Sequence, residues 1–330
     1  MSSSNASPAQ SQGPVQAIPP SPPFAPPPSK RLSLRSTAGA VRKAIYLAIL
    51  AGCVVIFTYP FVWAVSASLK PRPEVFDNAL IPHNFHPSNY LDVFRGVSAV
   101  AYKAPFGSWL WNSIWIGVLA AATVTISSAL VAFGFAYFRF PLRNFFFGCV
   151  LATMMLPGVV TLVPTYLLWN KIHFTGPGTF LFLSKNQYPL WAPNLFGSAF
   201  YIFLLRQFFL GIPRDLFEAS RMDGDNYWTM FWRIAAPLAR PAMIVTFVFE
   251  FKASWTELQK ALIYLRADQT FTVPRGLKVL LDLYGPSAGG QGDYQVIIAG
   301  TVLATLPMII IFFLGQRYFV EGIATQGRKG

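Results

Sequence analysis

Long apolar runs alternate with short polar segments along most of the chain. A helix needs about 20 predominantly apolar residues to cross the hydrocarbon core of a bilayer. Six such runs lie at about Ala44–Val65, Ser108–Tyr137, Phe145–Trp169, Leu190–Leu205, Ala242–Tyr264 and Tyr294–Phe313, and the fourth is the shortest. This pattern predicts an all-α, polytopic membrane protein with six transmembrane helices.

The first 43 residues follow a different pattern. Residues 1–29 hold nine of the 27 prolines, seven serines and no charged side chain, and a basic flank with Lys30 and Arg31 follows. Such a segment buries too little apolar surface to offset its ordering entropy, so we expect a disordered cytoplasmic tail. The first apolar run is too long and too far from residue 1 for a cleaved signal. We therefore predict two parts: a tail with its basic flank, 1–43, and a transmembrane domain, 44–330.

Composition supports the membrane interpretation. Of 330 residues, 54% are hydrophobic and 12% are charged, and the mean hydropathy is +0.44. Charged residues make up about 25% of an ordinary soluble domain. The basic residues behind the formal charge of +13 form no nucleic-acid-binding motif. We therefore expect the chain to contact lipid and not nucleic acid. Cys53 and Cys149 both lie inside apolar runs and are expected to pack there.

The distribution of Lys and Arg predicts the orientation. With six spans and the N-terminus inside, the cytoplasmic segments carry 15 of these residues and the opposite side nine, although the outer segments are longer. Positive residues concentrate on the cytoplasmic side of spans. We therefore expect both termini in the cytoplasm. The polar segment between the fourth and fifth runs, about residues 212–240, then faces the cytosol as well.

The sequence of that segment predicts two short helices joined by a sharp turn. Pro213 suits the start of a helix and Gly224 a left-handed end, which predicts one helix over Pro213–Met222. A second helix should begin at Asp225 or Asn226 and end at Pro237. Its apolar face would carry Tyr227, Phe231 and Ile234. The small residues Ala219 and Ser220 would allow another surface to approach the first helix. From the residues alone, an interfacial helix resting on lipid headgroups remains open beside a docking site for a partner.

Glu218-Ala219-Ser220, with Gly224, Ile234 and Pro237 at matching spacing, resembles the EAA loop of ABC-importer permeases. Ser220 and Ala236 depart from the pattern, and both remain small or apolar. The resemblance extends over nearly everything after residue 40 and is closest to MalG-type permeases of carbohydrate importers. It also involves YPFVWAVSASLKPRPEVF (59–76), LATMMLPGVVTLVPTYLLW (151–169), FLLRQFF (203–209), SWTELQKALIYL (254–265) and QRYFVEGIATQGRKG (316–330).

The resemblance implies a type I ABC-importer permease fold in a prokaryotic plasma or inner membrane. It implies a homologous permease subunit as partner, two cytosolic ABC ATPase subunits and an extracytoplasmic sugar-binding protein. Together they would import an oligosaccharide or disaccharide. ATP and Mg²⁺ would bind to the partner ATPase, and no cofactor or metal to this chain. The C-terminal stretch would reach between the ATPase subunits.

The same resemblance assigns roles inside the loop. Glu218 would contact the ATPase, Gly224 would permit the turn, and Ile234 and Pro237 would anchor the loop to the membrane domain. Asp223 is a second contact or a surface charge. Ala219 and Ser220 belong to the same coupling set.

The fifth run carries four ionisable groups in an apparent span, including Glu250 and Lys252. Ionisable groups at that depth usually line a polar path or a protein interface. Trp255 could stack on a sugar ring, and Glu257 could pair with Lys260. We expect Trp255, Glu257, Glu250 and Lys252 to contribute to a substrate path. The alternative is a broken or short span with these charges at its ends.

A membrane enzyme and an ion-coupled secondary transporter are the two alternatives to a permease. A membrane enzyme finds little support, because the sequence has no HExxH or GxxxxGK[ST] motif and no GxSxG with a plausible His partner. His83 and His86 lack the neighbouring Cys or carboxylate groups of a metal site. An ion-coupled secondary transporter usually has more spans and inverted repeats, and it would leave the loop at 212–240 without a purpose.

Overall fold

The computed structural model describes residues 34–100, 105–176, 178–180, 183–285 and 292–326. The proline-rich tail and the last four residues lie outside these ranges, so their predicted disorder and ATPase insertion stay predictions. The chain divides into two units, 1–57 and 58–330. The described part of the first unit, residues 34–57, is helical, and its side chains are exposed from residue 41 onward.

The described residues are almost entirely helical. One antiparallel pair of two-residue strands, β1 (Thr179–Phe180) and β2 (Leu183–Ser184), closes a small hairpin. Short 3₁₀ turns and one π turn, Phe231–Ala235, complete the regular structure. The helices are α1 (Leu34–Ser68), α2 (Ser88–Val100), α3 (Phe106–Tyr137), α4 (Arg143–Thr153), α5 (Gly158–Lys171), α6 (Tyr188–Trp191), α7 (Ala199–Leu210), α8 (Arg214–Met222), α9 (Tyr227–Met230), α10 (Ala236–Leu238), α11 (Arg240–Trp255), α12 (Gln259–Tyr264), α13 (Val273–Tyr284) and α14 (Tyr294–Gln326).

Three of these helices each contain a single segment long and apolar enough to cross a membrane. The segments are Val41–Ser68 of α1, Phe106–Tyr137 of α3 and Tyr294–Arg317 of α14. Three further candidates in the described part of the chain are bent pairs: α4 with α5, the segment Lys185–Leu210 with α8, and the segment Tyr227–Leu238 with α11. The count reaches six if each bent pair is one span. The all-α architecture is confirmed.

Three predicted spans are not continuous helices. In the fourth, predicted over 190–205, α6 ends at Trp191 and α7 begins only at Ala199, after a 3₁₀ turn. The predicted helix over 145–169 breaks after Thr153, and α5 restarts at Gly158 at an angle of 96°. Pro157 is the N-cap of α5 and cannot donate the backbone bond that would continue α4. The predicted helix over 242–264 ends at Trp255, and α12 begins at Gln259. The alternative of a broken fifth span is therefore the one observed.

Helix α3 is the central element of the second unit, and more than half of its most apolar stretch is buried. It packs against α7 and α11 along a line of small residues. At Gly117 a Cβ would come within 2.9 Å of the Phe251 ring, so glycine permits the close approach of α3 and α11. Trp109, Asn112 and Ser113 hydrogen-bond the backbone of the 268–273 loop near the first end of α3.

A separate aromatic core lies at the opposite end of α3. It joins Phe133 and Ala136 of α3 to Leu205 and Phe209 at the end of α7, and to the segment that follows α7. The loop after α3 and the loop after α7 therefore meet at the same end of the bundle. The functional site is built on this end.

Candidate functional site

The segment from Ile212 to Ala239 forms a helical elbow. Pro213 is the N-cap of α8, so the helix begins at Arg214, one residue later than predicted. Asp215 lies in the first turn, where its charge suits the positive end of the helix dipole. Gly224 has φ of +85°, as the predicted left-handed end requires. The amide of Asp225 donates to the Ser220 carbonyl and that of Gly224 to the Arg221 carbonyl, both at 3.1 Å, the two bonds of a Schellman turn.

Side chains reinforce this turn. Ser220 Oγ donates to Asp225 Oδ2 at 2.8 Å, and Arg233 Nη1 lies 3.6 Å from Asp225 Oδ1. Asn226 caps α9 as predicted, because its Oδ1 accepts from the Thr229 amide at 2.8 Å. Ser220 is 6% exposed, so it holds the turn together and presents no open surface. Of the two small residues expected to admit a partner, only Ala219 is exposed.

The second helix of the elbow differs from its prediction at two points. Pro237 does not end it, because the helical segment continues to Leu238. The preceding π turn closes with an Ala236 amide to Phe231 carbonyl bond, which accommodates the ring and the missing amide of Pro237. The predicted apolar face is also divided, since Phe231 is buried, Ile234 is half-buried and Tyr227 is exposed.

Aromatic packing fixes the elbow to the bundle. Phe217 of α8 is 4% exposed, and its ring lies 6.0 Å from Phe133 and 5.1 Å from Tyr137, centroid to centroid. Phe231 is 5.5 Å from Phe133 and 6.4 Å from Phe209. Aromatic pairs at such spacing contribute about 0.5–1.5 kcal/mol beyond their burial. One face of the elbow is therefore held firmly by the ends of α3 and α7.

The other face of the elbow is open. Glu218, Ala219, Asp223 and Gly224 are all exposed. Sequence reasoning missed Met222, which is 87% exposed and among the most exposed apolar side chains described. Leu216, Ala219 and Met222 recur every three residues on the side of α8 away from Phe217, and this second apolar stripe is the signal that could have identified it. A carboxylate beside apolar side chains on a rigid helix is a surface suited to a protein cleft.

The ionisable residues of α11 have diverse environments. Glu250 is half-buried, and its Oε1 accepts from Asn194 Nδ2 at 2.6 Å. Tyr201 of α7 lies close enough to this carboxylate to interact with it. Asn194 in turn donates to the Ala120 carbonyl and accepts at its own carbonyl from Ser127 Oγ. Glu250 thus links α11, through Asn194, to α3.

The other predicted path residues lie near the end of α11. Lys252 is exposed, whereas Trp255 is 4% exposed, with its ring stacked on Phe251 and its Nε1 donating to the Ala304 carbonyl at 3.2 Å. Glu257 lies in the break before α12, where its Oε1 accepts from the Lys260 amide at 3.1 Å. The expected pairing of Glu257 with Lys260 thus uses the backbone amide. Glu250 lies close enough to Glu257 and Lys260 to interact with them electrostatically, whereas Lys252 is exposed and the Trp255 ring packs inside the subunit.

Comparison with known proteins gives the class. Residues 114–325, more than half of the chain, match the family described as "Binding-protein-dependent transport system inner membrane component". The chain belongs to this family, within the MalG-type branch of carbohydrate-uptake permeases. It is a multi-pass membrane subunit of an ABC importer and not an enzyme, since ATP hydrolysis belongs to a separate subunit.

Individual relatives extend the match beyond that region. The chain is 33% identical to the arabinooligosaccharides transport system permease protein AraQ of Bacillus subtilis, over 83% of this chain and 92% of the relative. It is 30% identical to the trehalose transport system permease protein SugB of Mycobacterium tuberculosis, over 88% and 99%. The lactose transport system permease protein LacG of Rhizobium radiobacter is 27% identical, over 80% and 89%.

The fold matches a solved structure. A chain of a bacterial ABC transporter involved in the import of the acidic polysaccharide alginate superposes with a TM-score of 0.68 at 22% identity, over 87% of this chain and 98% of that chain. The predicted type I permease fold is confirmed.

Proposed function

We propose that this chain pairs with a homologous permease subunit to form the path for an oligosaccharide or disaccharide. An extracytoplasmic binding protein delivers the sugar, and two cytosolic ATPase subunits drive its passage. Relatives whose names specify arabinooligosaccharides, trehalose and lactose support a sugar of this size. Both termini and the elbow face the cytosol in this proposal, as the Lys/Arg distribution predicts.

The elbow carries the proposal. Its inner face is anchored by Phe217 and Phe231, so it cannot swing freely, and its outer face presents Glu218 next to Ala219 and Met222. A cleft on the ATPase would take the exposed end of α8, with a cationic residue there pairing with Glu218. Charge-assisted hydrogen bonds of this kind are about twice as strong as neutral ones. Asp223 lies at the rim of the same surface.

The substrate path is assigned to the exposed side of α11. Phe249, Lys252, Ala253 and Thr256 are exposed at the spacing of one helical face. A lysine and a threonine on that face would supply hydrogen bonds to sugar hydroxyls once a second subunit closes the path. Trp255 and Glu257 adjoin the break that ends this face, and Glu250 holds α11 in place behind it.

The coupling role is tested by Glu218→Ala in the assembled transporter. We expect co-purification of the ATPase to fall, or sugar-stimulated ATP turnover to drop by roughly tenfold, because a charged hydrogen bond contributes about 1.5–3 kcal/mol. Asp92→Ala is the matched control. This carboxylate is exposed on α2, which packs near the far end of α3, and its loss should leave both measurements unchanged.

Unchanged ATPase binding and turnover in Glu218→Ala would remove Glu218 from the interface. Cys53 and Cys149 were predicted to pack but are exposed in the structure, so both are first replaced by Ser. Cysteine labelling at Met222→Cys in that variant then locates the elbow independently. Accessibility only from outside the cell would contradict the coupling proposal altogether.

A further inference from the structure

An open pocket lies beside the elbow, where the loop between α3 and α4 meets the start of α8. Its volume is about 770 Å³, within the roughly 300–1,000 Å³ of common ligand pockets. Three of its eight lining residues are arginines: Arg139 of the loop, Arg143 at the start of α4 and Arg214 at the start of α8. The pocket is therefore strongly cationic.

These positive charges lack acidic partners in the described part of the chain, where the three ion pairs involve other residues. A fourth arginine, Arg206 of α7, is close enough to interact electrostatically with Arg143. Arg143 donates to the Phe138 carbonyl at 3.4 Å, a long bond that leaves its charge unneutralised. Like charges gathered in this way repel one another, so a bound anion would stabilise the arrangement.

The same pocket has an apolar wall. Phe140, Leu142 and Phe145 line it, and Leu142 and Phe145 are 67% and 63% exposed. The wall begins where α3, a candidate span, ends, so it lies at the boundary between the bilayer and water. A ligand that fits would have an anionic head and an apolar tail.

We propose that this pocket binds the headgroup of an anionic phospholipid, with its phosphate among Arg139, Arg143 and Arg214 and its acyl chains along Phe140, Leu142 and Phe145. Basic residues flank membrane spans in general. That rule accounts for arginines spread along a boundary, but it does not require three of them to converge on one pocket beside exposed apolar side chains. Basic pockets at the cytoplasmic side of spans bind such headgroups. The lipid would brace the start of α8 against the membrane.

Native mass spectrometry of the full-length chain, purified with its co-purifying subunits, tests this proposal. The probe is an equimolar mixture of phosphatidylglycerol and phosphatidylcholine. We expect the wild type to retain phosphatidylglycerol preferentially, and Arg139→Gln/Arg214→Gln to lower that preference by roughly tenfold. Arg139→Lys/Arg214→Lys keeps both charges and should keep most of the preference. If the Gln double variant does not fold, Arg139→Gln alone, in an exposed loop, should lower it about threefold.

Arg42→Gln/Lys43→Gln is the matched control, because it removes two exposed charges beside the first span but none from the pocket. It should change the preference less than twofold. An equal effect of the control, or equal retention of the two lipids by the wild type, would overturn the proposal. Displacement of phosphatidylglycerol by millimolar inorganic phosphate would also overturn it, by identifying a site for soluble anions. These measurements do not depend on ATPase coupling.

Discussion

The elbow and the α4–α5 pair are both sharp bends, of 77° after α7 and 96° after α4, yet they are held in opposite ways. The elbow has its own aromatic core, capped helix ends and a hydrogen-bonded turn. No residue of α4 or α5 is buried, and apolar side chains such as Met155 and Val159 are exposed. One bend is fixed by this chain alone, whereas the other needs lipid or a second subunit to cover it. The difference fits the coupling role proposed for the elbow and leaves the α4–α5 pair to be covered by a partner or lipid.

The largest contrast is expected from removing one ring in each region. Phe217→Ala should destabilise the elbow by about 3–5 kcal/mol, because it empties a buried site between Phe133 and Tyr137. Phe146→Ala in α4, 48% exposed, should have little effect on the same scale. Hydrogen exchange of the elbow amides measures the local free energy of opening. Equal protection in the two variants would contradict the proposed anchoring.

A glycine in each region gives the next contrast. Gly224→Ala should destabilise the turn by about 1–2 kcal/mol, because φ is +85° there, although no atom lies within 4 Å of the added Cβ. Gly148→Ala in α4 also meets open space, but its backbone is helical, so it should stabilise that helix by roughly 0.5–1 kcal/mol. Thermal unfolding of the assembled complex should then show a lower melting temperature for Gly224→Ala and a higher one for Gly148→Ala. A stabilising Gly224→Ala would show that the turn is not strained by a side chain.

The smallest contrast concerns helix capping. Asn226→Ala removes the cap of α9 and should destabilise the elbow by about 1 kcal/mol. Asn144→Ala, in the first turn of α4, removes no capping bond, because the cap position there is Leu142 without a side-chain bond. Exchange rates at Thr229 and at the first amides of α4 report the two effects. A larger increase in exchange rate at α4 from Asn144→Ala than at α9 from Asn226→Ala would contradict this prediction.

Local signals made the elbow predictable. Pro213 and Gly224 act through their own backbone, and the Asn226 side chain accepts from the Thr229 amide three residues on. Their effects can therefore be read from a short stretch of sequence. The six apolar runs likewise predicted the class of fold. Where the chain bends inside a run was less evident, because a proline such as Pro164 also lies within a continuous helix.

The remaining features depend on contacts far away in the chain. Trp255 is buried because it reaches Ala304, and Glu250 is held by Asn194, a residue 56 positions earlier. The inward orientation of Ser220 follows from the turn that Gly224 closes. Roles assigned from one helix considered alone therefore could not foresee which polar groups are engaged within the subunit and which remain open.

The bend between the elbow and α11 has a mechanical consequence. Backbone hydrogen bonds continue through the 79° bend, from the Ala239 amide to the Ala235 carbonyl and from the Met243 amide to the Ala239 carbonyl. We expect a joint bonded in this way to resist bending. Under the proposed coupling, a displacement of α8 that carries α9 with it would exert a torque on α11 and turn Lys252 and Thr256 about the axis of their helix.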